Sequence, residues 1–180
     1  MQKPAGFILI LIFSSFISYG QKIIVRGQES NGKLEWKDFT GKVDKNSSFA
    51  AYTGYKFSTK FSGVRFIGDS AVIDGFEVLL ELDPKKSWAK MDKATDALLV
   101  HEQGHFNLGI LTMKEVLTRF NNARFTKNNY QALLQEIVNE VSKKYNDLSK
   151  KYDSETDHSK NKDQQEKWNE FFSRQFAGVN

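Results

Sequence analysis

The sequence predicts an α+β fold, because strand and turn patterns fill the chain to about residue 88 and helical patterns fill the rest. Two stretches carry most of that expectation. In residues 71–82, Val72, Phe76, Val78, Leu80 and Leu82 share one parity while Glu77 and Glu81 share the other, so one strand face can be buried. From Thr95 to Phe120, the apolar positions Leu98, Leu108, Leu111, Val116, Leu117 and Phe120 return at helical intervals.

Earlier strands are shorter. KIIVR at 22–26 is an apolar run followed by the polar turn GQESNGK, and LEWKDF at 34–39 alternates before stopping at Thr40-Gly41. AAYTGYKFSTKF at 50–61 reads as one bent strand or two, with Gly54 at the bend. Asp83-Pro84 ends the clearest strand, since proline lacks the ladder donor and restricts the residue before it. Thr95-Asp96 suits the start of the first helix and Asn121-Asn122 its end. A second helix is expected from Asn129 to Lys150, with Leu133, Leu134, Ile137, Val138, Val141, Tyr145 and Leu148 as its stripe. A short third helix, Lys162 to Gln175, would bury Trp168, Phe171 and Phe172.

Residues 1–20 read as an export signal rather than as part of the fold. Lys3 precedes the apolar run AGFILILIFSSFI, and small residues at Ser18 and Gly20 suit cleavage after Gly20. The run is too short for a good membrane span, which needs roughly 20 apolar residues. The expected product is therefore a secreted or periplasmic chain, residues 21–180, forming one domain without stable membrane insertion. Cysteine is absent, so neither disulfides nor a cysteine-linked lipid can contribute. Without Lys3, 25 basic residues face 22 acidic ones with both signs interspersed, which gives no indication of nucleic-acid binding.

The chemistry concentrates in LLVHEQGHFNLG, residues 98–109. His101 and His105 are four apart, so a helix puts both imidazoles on one face within reach of a single ion. Zinc takes neutral imidazole nitrogens, and two ligands from one rigid helix fix two of its four positions. Glu102 beside them can accept the proton of a metal-activated water. A chance His-Glu-x-x-His in a chain of this length arises on the order of once in a few hundred sequences, and this one lies inside a helical pattern.

The remaining ligands come from a short list. His158 is the only other histidine, so a third ligand is His158, a carboxylate or water. An antiparallel second helix would return the segment KYDSETDH to the level of His101. Within it Glu155 is the main rival to His158, a nearby carboxylate such as Asp153 or Asp157 could orient a ligating imidazole, and Tyr152 could donate to an oxyanion.

These motifs resemble a family of uncharacterised bacterial exported proteins placed with the zincin-type peptidases and described as secreted zinc-dependent proteases. The shared stretches are LEWKDFTG at 34–41, SW at 87–88, LLVHEQGHFNL at 98–108, YDSETDH at 152–158 and QQEKW at 164–168. The resemblance implies a zincin-like fold in which a mostly antiparallel N-terminal sheet packs on the His-Glu-x-x-His helix and a second long helix. It implies His101, His105 and His158 as zinc ligands and Glu102 as the catalytic residue. A glycine commonly follows the last histidine in that family, whereas Ser159 stands here.

The expected function is thus zinc-dependent hydrolysis by a metallopeptidase acting on a peptide or protein. Two alternatives accompany it: a zinc-stabilised envelope or binding protein without catalysis, and a zinc hydrolase of cell-wall amides. The strand at 71–82 is the expected substrate track, because a sheet edge can offer its backbone to an extended peptide. Phe49, Tyr52, Tyr55 and Phe57 can line a groove or fill the core.

Overall fold

The computed structural model describes residues 20–177. The expected export signal lies outside them except for Gly20, the first residue of β1 (Gly20–Val25). There follow β2 (Gln28–Glu29), β3 (Ala51–Tyr52), β4 (Tyr55–Lys60), β5 (Gly63–Ile67), β6 (Ser70–Asp74), β7 (Glu77–Leu82) and β8 (Trp88–Ala89). Three helices complete the chain: α1 (Asp96–Asn122), α2 (Tyr130–Thr156) and α3 (Lys162–Ala177). The mixed α+β architecture matches the expectation, strands first and helices second. Among the described residues no helix is long and apolar enough to cross a membrane.

The main sheet has the order β2-β1-β7-β4. Its centre combines a parallel pair, β1 with β7, and an antiparallel pair, β4 with β7. Two small antiparallel pairs, β3 with β8 and β5 with β6, stand beside it. Val78, Leu80 and Leu82 turn one face of β7 into the core. Against them lies α1, close enough that a side-chain carbon at Gly109 would approach Leu80 to 3.0 Å. The opposite side of α1 packs on α2 and α3, so this helix is buried on two sides, and its apolar stripe is correspondingly broad.

Three expectations need correction. Residues 71–82 form two strands, β6 and β7, because Gly75 at φ +63° turns the chain between them. The turn shifts the burial parity: Ala71 and Ile73 are buried in β6, whereas Val72 is on the other face. β7 also has neighbours on both edges, which removes it as a substrate track. LEWKDF is a 3-10 turn at Trp36–Asp38 rather than a strand. There the buried Asp38 carboxylate accepts from the Glu35 amide at 2.7 Å and pairs with Arg26 at 3.0 Å. Local side-chain bonding to the backbone has overridden the alternating pattern.

The first helix begins where its cap predicts. Thr95 Oγ1 accepts from the Leu98 amide at 3.2 Å. α2 extends to Thr156, one and a half turns beyond the predicted end at Lys150, and this extension brings Tyr152 and Asp153 onto the face towards α1. The pairing of the two helices is antiparallel, as expected: Arg119 meets Glu140, Glu115 meets Lys144, His105 meets Ser149 and His101 meets Asp153.

The close approach of α1 and α2 depends on Gly104. A Cβ there would lie 2.6 Å from Cζ of Tyr152, a side chain with no solvent exposure and no room to retreat. Gly104→Ala should therefore lower the unfolding free energy by about 1–3 kcal/mol through overpacking, although alanine is the better helix former by ~1 kcal/mol. Gly63→Ala, whose new Cβ meets nothing within 4 Å, should stay within about 0.5 kcal/mol of the parent. Urea unfolding of the two variants compares them directly, and equal midpoints would contradict the packing assigned to Gly104.

Candidate metal centre

His101 and His105 project from one face of α1 with ring centroids 4.9 Å apart. Opposite them on α2 stands Asp153, and one of its oxygens gathers the site. Asp153 Oδ1 is 3.2 Å from His101 Nε2, 3.0 Å from His105 Nε2 and 3.2 Å from His158 Nδ1. The ligand atoms of His101, Asp153 and His158 all lie within 4.8 Å of one another, which makes these three a candidate metal-binding triad. Burial alone would raise the Asp153 carboxyl, but hydrogen bonds from His101 and His105 hold it well below the usual carboxylate range.

The outer nitrogens of the helix imidazoles are also held. His105 Nδ1 lies 2.9 Å from Ser149 Oγ. His101 Nδ1 lies 3.2 Å from Gln165 Oε1, and Gln165 Nε2 donates to the Tyr152 hydroxyl at 2.8 Å. That hydroxyl donates at 3.0 Å to the His101 carbonyl and closes the ring of contacts. With a metal bound, a proton held on Nδ1 of each imidazole would leave both Nε2 lone pairs for the ion, in place of their hydrogen bonds to Asp153.

This set of donors suits zinc. Ligands placed tetrahedrally at about 2.0–2.1 Å from an ion stand roughly 3.3 Å from one another, close to the spacing between Asp153 Oδ1 and each of the three imidazole nitrogens. His101, Asp153 and His158 are therefore the residues that would hold a metal here, while His105 Nε2 reaches the same Asp153 oxygen at 3.0 Å but stands outside that triad.

Several expectations about this segment change. The Glu155 carboxylate turns away to accept from Trp168 Nε1 at 2.9 Å and lies 3.6 Å from Lys151, so Asp153 is the carboxylate at the centre. Tyr152 is a packing residue rather than an oxyanion donor facing the cleft. Its ring is fully buried and stacks on His101 at 4.6 Å, and its hydroxyl is committed to His101 and Gln165. Gln165 and Ser149 were missed in the sequence; the i, i+4 spacing of Ser149 and Asp153 was a usable signal once α2 is extended.

The centre opens into a cleft of about 620 Å³. Phe49, Tyr52 and Tyr55 line it, and Phe49 packs on the His158 ring at 4.7 Å, whereas Phe57 packs against the core. Glu102 also lines the cleft although it is only 3% exposed. Its Oε2 accepts from Thr53 Oγ1 at 2.6 Å, and Thr53 is a further contributor that the sequence did not single out.

His158 is presented by an unusual turn. Asp157, His158 and Ser159 follow α2 with φ of 44°, 51° and 80°, three consecutive residues in the left-handed region. Ser159 occupies the position where glycine is common in the resembled family, and its φ supplies the physical reason for glycine there. Ser159→Gly should raise thermal stability by about 1 kcal/mol without loss of metal. Calorimetry with zinc analysis checks this, and a lower melting temperature would contradict the strain assigned to the turn.

No curated protein and no solved structure matches the chain. The pattern of one sequence family does match, over residues 26–159, which include β2 to β8, α1, α2 and the complete histidine–aspartate cluster. The chain belongs to that family, described as "Bacterial protein of unknown function (DUF922)".

Proposed function

We propose that this protein is a zinc-dependent hydrolase of peptide bonds, with the metal held by His101, His105 and His158 and with Glu102 as the general base. The observation that carries this reading is the Glu102 carboxylate. It is buried, it borders the same cleft as the imidazoles, and among the described residues its partner is the Thr53 hydroxyl rather than a cation. Burying a carboxylate without a cation is costly, and proteins tolerate that cost chiefly at working sites.

A bound zinc ion supplies Lewis acidity and lowers the pKa of water. The chain supplies the rest. The Thr53 hydroxyl fixes one carboxylate oxygen of Glu102, leaving the other to take a proton from water and return it to the departing amine. Peptide as the substrate class draws support from β3, which pairs only with β8 among the described residues and lines the cleft beside Glu102. Its second edge can bind an extended backbone.

A second reading, a metal-stabilised binding or envelope protein, has its own support. Asp153 Oδ1 stands at a fellow-ligand distance from all three imidazoles, and a shell of three histidines and one aspartate would be closed. Hydrolysis requires Asp153 to act from outside the shell and leave one position open.

Glu102→Gln separates the two readings. The hydrolase reading predicts a folded variant with full zinc content and at least ~100-fold slower turnover of any substrate found on a peptide library or on cell-wall fragments. Undiminished turnover by the zinc-loaded variant would refute the role of Glu102. We further propose that the protein acts after export, as the apolar run before Gly20 suggests. Mass spectrometry of the exported chain should show Gln21 as its first residue; a product retaining residues 1–20 would replace the signal with an anchor.

A further inference from the structure

We infer that the cleft selects acidic peptides, an inference that rests on the peptide-binding reading above and specifies its substrate. The charges around the cleft are unequal. Lys86, Lys93 and Lys160 line it, against two carboxylates, Glu102 and Asp153. Both carboxylates are already engaged, Glu102 with Thr53 and Asp153 with the three imidazoles. What a ligand meets at the rim is therefore positive, before the two charges of a divalent ion are added.

The three lysines come from three separate parts of the fold. Lys86 lies on the turn between β7 and β8, with its Cβ against Gly54, so its stem follows the cleft wall. Lys93 ends the 3-10 turn Met91–Lys93 just before the Thr95 cap of α1. Lys160 follows His158 and pairs with Asp157 at 3.5 Å. Among the described residues neither Lys86 nor Lys93 has a carboxylate within ion-pair distance, in contrast to the paired lysines Lys60, Lys143 and Lys144. The amino end of α1 opens onto the same side through Thr95 and Leu98, while Asp96 lines the separate groove between α1 and α3. A helix amino terminus adds to the field that favours an anion.

The apolar component of the ligand can be placed as well. Tyr52 and Phe49 remain 48% and 42% exposed within the cleft wall, large rings without a full complement of neighbours. Exposed rings and unpaired cations in one cleft suit a peptide that carries apolar side chains together with glutamate or aspartate. Complementary charge of this kind raises association rates and sets preference, and salt screens it.

The test measures binding on the zinc-loaded Glu102→Gln protein, so that no turnover intervenes. Three fluorescein-labelled hexapeptides share a central Ala-Phe pair and differ only in carrying glutamate, glutamine or lysine at the four outer positions. Anisotropy titration should give a Kd for the glutamate peptide at least ~10-fold below that of the lysine peptide at low salt, with the gap narrowing at 0.3 M salt. Adding Lys86→Glu and Lys93→Glu should reverse the order. Retention of the glutamate preference after this reversal would mean that the carboxylates bind the metal directly, and would overturn the role of the lysines. Equal affinities, a preference for lysine, or no binding of any peptide would also overturn the inference. Binding of the glutamate peptide without cleavage by the parent protein would keep the acidic preference and defeat hydrolysis. Faster cleavage of the lysine peptide would do the opposite.

Discussion

One carboxylate oxygen, Asp153 Oδ1, stands within 3.2 Å of nitrogens from all three histidines of the chain. Much of the helical half of the fold is arranged around that convergence. His101 and His105 come from α1, Asp153 from α2, and His158 from the left-handed turn that ends α2. Three imidazoles crowded around one partly buried oxygen would be a poor arrangement for packing alone. A cation shared among them gives the arrangement a physical purpose.

The scaffold keeps this convergence narrow. Gly104 admits the Tyr152 ring against α1, and the ring stacks on His101 while its hydroxyl reaches the His101 carbonyl. Gln165 ties α3 into the same network by touching both Tyr152 and His101 Nδ1. The sheet side contributes Thr53, between β3 and β4, which holds Glu102 from across the cleft. The cluster is thus positioned by rigid elements on both sides, with the least regular backbone at His158.

The helical part of this arrangement could be read in the sequence because its signals are local. Four-residue spacing placed His101 and His105 on one face, and the Thr95 cap and the apolar period located α1. The antiparallel return of α2 followed from a short connection. What escaped depended on contacts distant in sequence or on backbone turns. The parity through 71–82 hid the turn at Gly75, and the alternation in LEWKDF hid the capping role of Asp38. α2 continued past Lys150 despite its charged sequence, because Tyr152 and Thr156 are buried against the other helices. That extension turned Asp153 to the centre and Glu155 to Trp168, a distinction that composition could not make.

The most direct test of the account is the coordination of zinc in the parent protein, read by X-ray absorption together with elemental analysis. One zinc per chain, bound by three imidazoles and one non-protein oxygen, is the result predicted for an open hydrolytic centre. In that case Asp153→Asn should leave the imidazole count at three. A shell of three imidazoles that loses its carboxylate oxygen in Asp153→Asn would establish a closed site and contradict hydrolysis there. Failure of the folded protein to retain zinc would contradict the metal centre itself.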